Sequence, residues 1–141
     1  MVENVTEISE RSAEYHVIAK RWKSDLEFFK VESSFLGRLK QDYYFTCLSA
    51  YRHTEELQRE AQKLLKLQDD ILWVEAHVDA QLHQLAQVAE NEVEENPKKL
   101  ALTNATVGNL MTSLTHEYQE VKKQFFTSVE TIFRELEALA G

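Results

Sequence analysis

The residues able to do chemistry in this chain of 141 are five histidines, one cysteine and a scatter of carboxylates. His116 and Glu120 stand one helical turn apart, a spacing at which two side chains can share a metal ion. A di-iron bundle needs more, Glu-x-x-His pairs aimed inward from facing helices, and no histidine here has a Glu three positions before it. At about 100° per residue, His116 falls opposite the apolar stripe Val107–Leu139. His16 lies about 120° from Trp22 on the same reckoning. His77 and His83 also sit well off the stripe of their helix, and His53 falls in a proposed turn. Asp25 and Glu32, seven apart, flank the first apolar stripe. They can divide acid and base work only if burial drives their pKa values apart. Cys47 lies on an apolar stripe with no histidine beside it, the signature of a small core residue. The chain has no Gly-rich phosphate loop and no nucleophile elbow. These observations favour a non-enzymatic protein with no cofactor, and they leave His116 with Glu120 as the metal candidates.

Those side chains would be carried by long helices. Leu57, Ala61, Leu64, Leu67, Ile71, Val74, Val78, Leu82, Leu85 and Ala89 recur every three or four residues, a mean step of about 3.6. No Pro or Gly interrupts them. A first stripe runs Tyr15, Ile18, Trp22, Leu26, Phe29, Ser33, Leu36, Lys40, Tyr43 and Cys47, reaching Tyr51, with Asn4 or Ser9 as the starting cap. Ser33, Gly37 and Lys40 interrupt it. They read either as small residues making room for a large neighbour, with Lys40 snorkelling to water, or as a ligand notch. A third stripe runs Val107, Leu110, Leu114, Tyr118, Val121, Phe125, Val129, Ile132, Leu136 and Leu139.

These stripes predict an all-α fold, an antiparallel up-down-up three-helix bundle over residues 1–141. The expected helices span about 7–51, 54–95 and 104–139. The first break is placed at Tyr51–Thr54, where Thr54 can cap and Glu55 and Glu56 suit the positive helix end. Without such a break, helices one and two would be one continuous rod and force dimerisation. Asn96 is expected to close the second helix in a left-handed conformation and Pro97 to stop it. Pro97–Thr103 then reads as a linker. Neighbouring helices should cross near 20°.

A hydrophobic fraction of 43% with 28% charge fits a folded chain. The net charge of −8 disfavours nucleic acid and anionic lipid as partners. No stretch approaches the ~18 apolar residues of a membrane span. The N-terminus has no signal-peptide pattern and the cysteine is solitary, so the expected location is cytoplasmic.

Several large apolar residues lie off the stripes. Phe28 and Phe35 are seven apart, with Leu39 roughly in line, and Phe126 and Phe133 repeat the pattern on the third helix. Trp73 stands well away from the second stripe. Flanking core positions would explain Phe126 and Phe133. Phe28, Phe35, Leu39 and Trp73 look surplus and predict an interface, either with a protein partner or in a homodimer. The alternative function is a small-ligand or metal-binding bundle.

The segment Trp22-Lys-Ser-Asp-Leu26-Glu-Phe28-Phe29-Lys30-Val-Glu32-Ser-Ser-Phe35 resembles the opening helix of small uncharacterised bacterial long-helix bundle proteins. An Asn-Pro linker before the last helix is a second point of resemblance. The likeness implies a long-helix bundle and carries over no activity, cofactor or catalytic residue.

Overall fold

The structure, a computed structural model, describes the backbone of residues 2–46 and 54–140, and the side chains of residues 10–41, 55–135, 137 and 138. Three helices make up the fold: α1 (Val2–Thr46), α2 (Thr54–Ala89) and α3 (Pro97–Ala140). Each packs against the other two. α1 begins at Val2, so Asn4 and Ser9 lie within the helix, which starts five residues before the expected residue 7, whereas α2 begins at Thr54 as expected. The residues of the break before Thr54, and the side chains of Asn4, Ser9, Tyr43, Cys47, Tyr51, His53, Thr54, Leu136 and Leu139, lie outside the described residues.

Cross-helix pairs fix the directions. Lys23 meets Asp79 at 3.0 Å, whereas Lys30, further along α1, meets Glu75, earlier on α2. Lys63 reaches Gln124 while Gln81 reaches Asn104. Both pairings run opposite ways, so α2 is antiparallel to α1 and to α3. Phe29 stacks on Tyr118 and Glu32 pairs with Lys122, so α1 and α3 run in parallel. The topology is the expected up-down-up bundle.

The core follows a stricter rhythm than the expected stripes. On α2 the buried rows are Leu57, Leu64, Ile71, Val78, Leu85 and Leu67, Val74, Gln81. On α3 they are Leu100, Val107, Leu114, Val121 and Met111, Tyr118, Phe125, Ile132. On α1, Ala19, Leu26 and Ser33 alternate with Phe29 and Leu36. Every row repeats at seven, a period of 3.5 residues. A 3.6 stripe drifts about 20° per heptad. That drift is why Ala19 is buried where Ile18 was expected, Met111 where Leu110 was, and Gln81 where Leu82 was. Leu82 and Leu110 pack half-buried against the core instead.

The α2–α3 turn also departs from expectation. Asn91, at φ 59°, is the left-handed residue. Its N–H donates to Val88 O at 3.1 Å, and the Glu92 N–H donates to Gln87 O at 2.9 Å. This paired closure satisfies the last carbonyls and ends α2 at Ala89, six residues early. Asn96 works on the next helix: its Oδ1 accepts from the Lys99 N–H at 3.2 Å. Pro97 is then the first residue of α3, not a linker. Proline's fixed φ and missing N–H suit that position as well as they suit a helix stop.

Candidate functional sites

Two core layers are polar. Lys40, Glu60 and Ser128 each extend a core row of their own helix, and the rows bring them to one end of the bundle. The Ser128 hydroxyl donates to Glu60. The Lys40 Nζ is shielded from water and has no hydrogen-bond partner, so it does not snorkel as expected. Burial pushes the Lys40 ammonium below the usual lysine range, against the pull of Glu60. Burial pushes the Glu60 carboxyl up, against Ser128 and Lys40. The cavity beside Ser128 holds about 40 Å³, room for about one water. The second layer joins Gln81 Nε2 to Asn104 Oδ1 at 3.2 Å. Buried polar residues on heptad rows fix register at a cost in stability.

The notch imagined around Ser33 is filled. Ser33 is buried and donates to the Lys30 carbonyl at 3.1 Å. A methyl at Gly37 would meet Leu64 Cδ2 at 3.7 Å, ordinary contact, so the space the glycine leaves is about that of a methyl group.

Of the carboxylate candidates, Asp25 is exposed and Glu32 is committed to Lys122 at 2.5 Å. The pair whose titrations do separate is Asp70 and Glu117, which the sequence analysis missed. Lys66 bonds Asp70 at 2.6 Å and holds it below the usual range. Burial, then the hydrogen bond with Asp70, push Glu117 up against the opposing hydrogen bond from Lys66. The two stand on different helices, so no spacing along the chain announces them. They lie on the outer α2/α3 edge with Lys66 bridging them, an arrangement that ties two helices together.

His116 and Glu120 lie on an exposed face of α3. Among the described residues no group of three His, Cys, Asp or Glu side chains could hold a metal ion. His77 is turned to its own helix, its Nδ1 2.9 Å from the Trp73 carbonyl, and its ring rests 4.4 Å from the Trp73 indole.

The expected interface set divides. Leu39 is half-buried against the core. Trp73 is exposed beside the α2/α3 seam, apart from Phe28 and Phe35. Those two belong with α3. Phe28 and Phe35 stand one turn either side of Glu32, and Phe126 one turn beyond Lys122, so the Glu32–Lys122 pair sets them on the two banks of one groove. Phe28, Phe35, Phe126 and Phe133 are 57%, 49%, 45% and 46% exposed. Leu39 and Val129, one heptad past the ion pair, form the floor and pack on the core. Phe126 and Phe133 are therefore surface residues rather than the flanking core expected of them. The other half of the same groove is a shallow notch of about 630 Å³ lined by Trp22, Ala105, Gly108, Thr112 and Thr115.

No helix among the described residues is long and apolar enough to cross a membrane. No family model, no curated protein and no solved structure matches this chain.

Proposed function

We propose that this chain is a non-enzymatic interaction protein that works as a homodimer through the α1/α3 face. The observation that carries the reading is the division of that groove into a half of protruding aromatics and a half where Trp22 faces a run of small residues on α3. Phe35 and Phe126 form the first half; Ala105, Gly108, Thr112 and Thr115 form the second. A two-fold axis near Gln119, midway between the halves, would set the aromatics of each copy into the notch of the other. Such self-complementarity is what an isologous interface requires. Each large apolar side chain buried is worth ~1.5–3 kcal/mol, and a two-fold interface buries each of them twice. The rim carries both signs, Arg38 and Lys123 against Asp25 and Glu130, so the repulsion of a net charge of −8 is not concentrated there. That overall charge supports a protein rather than nucleic acid or a membrane as the partner. The single cysteine fits action in the cytoplasm.

Sedimentation equilibrium at micromolar concentration tests the reading. The expected mass is twice that of the chain. Phe35→Ser with Phe126→Ser should give a folded monomer, and Trp73→Ser should leave the dimer intact. A wild-type monomer, or a dimer indifferent to the double change, would overturn it.

A further inference from the structure

Away from that face, at the end of the bundle where α2 turns into α3, a half-open groove of about 1030 Å³ separates α1 from the end of α2. Its volume reaches the upper end of the range for ligand pockets, roughly 300–1,000 Å³. Ala13 and Val17 line one wall, and Leu85, Ala89 and Val93 the other. Val17 and Val93 are exposed there, so apolar surface faces water on both sides. The alanines keep the walls low, leaving a slot wide enough for an alkyl chain or a flat ring.

The mouth is acidic. Glu90, Glu94 and Glu95 line it. Glu90 follows the C-terminus of α2, the negative end of that helix, whose last turn holds no basic residue. Glu94 and Glu95 precede the positive end of α3, which offsets part of their charge. The Ser12 hydroxyl donates to Glu95 and fastens α1 to the turn. Among the described residues no ammonium or guanidinium pairs with Glu90 or Glu94.

We propose that this groove binds an amphiphilic organic cation of small-molecule size, its apolar body between Val17 and Val93 and its cationic head at Glu90 and Glu94. The apolar walls supply affinity that an inorganic cation could not use. The carboxylates, without an ion-pair partner among the described residues, reject anions and make a neutral ligand the weaker one.

The test uses the full chain labelled with ¹⁵N and three probes with the same octyl tail: octyltrimethylammonium, octyl sulfate and octanol. Below micelle-forming concentrations, the ammonium compound should shift the amides of Ala13, Val17, Ala86 and Val93 in a saturable manner. Octyl sulfate should leave them unmoved, and octanol should bind more weakly. Glu90→Gln and Glu94→Gln should each weaken the ammonium compound about two- to fivefold while the melting temperature holds. Equal binding of the anion, indifference to both substitutions, or shifts confined to the Phe35–Phe126 face would overturn the proposal. The dimer reading is judged by mass, so either can fail without the other.

Discussion

The two seams that α1 makes with its neighbours are closed by opposite means. Against α2 the outer edge is charged: Lys23 bridges Glu75 and Asp79 at 3.0 Å, and Lys30 reaches Glu75 at 2.5 Å. Against α3 the bridge Glu32–Lys122 spans the edge, and beyond it stand Phe28, Phe35 and Phe126. Charged side chains across a seam exclude partners, because docking apolar surface there would strip them of water. Aromatics at the same positions leave apolar surface in water, a feature of interaction sites. Charge at the edge thus makes one seam a lid, and aromatics at the edge make the other a socket.

The largest expected effect deepens that contrast at its root. Phe29 stacks on Tyr118 with ring centroids 4.3 Å apart, inside the α1/α3 seam. Phe29→Ala should lower unfolding free energy by about 3–5 kcal/mol in urea titration. A loss under 1 kcal/mol would mean that the socket seam carries little of the fold.

The polar layer offers the next test. Replacing Lys40 and Glu60 together by Met and Leu should stabilise the bundle by about 1–4 kcal/mol, since the buried ammonium makes no hydrogen bond to offset its desolvation. The gap should narrow as pH climbs toward 10.5, where Lys40 sheds its proton folded or unfolded and its burial cost disappears. Destabilisation of the double variant would show that the layer contributes more than register.

The lid answers to acid. Burial pushes Glu75 up, but hydrogen bonds from Lys30 and Lys23 outweigh burial and hold its carboxyl below the usual range. Its folded pKa is depressed, so its contribution is present above pH 4.5 and lost as pH falls through the folded value. Glu75→Gln should cost about 1–2 kcal/mol at pH 7, with the difference vanishing in acid. A difference that persisted in acid would assign the loss to packing. The smallest effect is at Gly37, where a methyl finds room beside Leu64. Gly37→Ala should raise stability by about 0.5–1 kcal/mol in the same titration, without disturbing the lid.

Much of the fold is legible in the residues themselves. Leu26, Leu64, Leu67, Ile71, Val78 and Leu114 are core by spacing alone, because any helical period near 3.6 puts them on one face. Gln81 and Ala19 were missed because only the seven-residue rows, set by each helix packing against two others, rank them above Leu82 and Ile18. Asn96-Pro97 was misassigned because the pair reads equally as a helix end and a helix start; the hydrogen bond from Lys99 decides. Phe28 and Phe35 were legible as surplus, but their company was not. The parallel register of α1 and α3, fixed by Glu32–Lys122, assigns them Phe126 and excludes Trp73. The Asp70–Glu117 pair and the end groove exist only once the helices are side by side.

The central claim is that the α1/α3 face meets itself about an axis near Gln119. A disulfide needs Cα atoms within about 7 Å, so cross-linking at that position reads the claim directly. In a Cys47→Ser background, Gln119→Cys should oxidise to a covalent dimer within minutes, whereas Gln62→Cys on the outer face of α2 should remain monomeric. Equal rates at the two positions, or no covalent dimer from Gln119→Cys, would contradict the account.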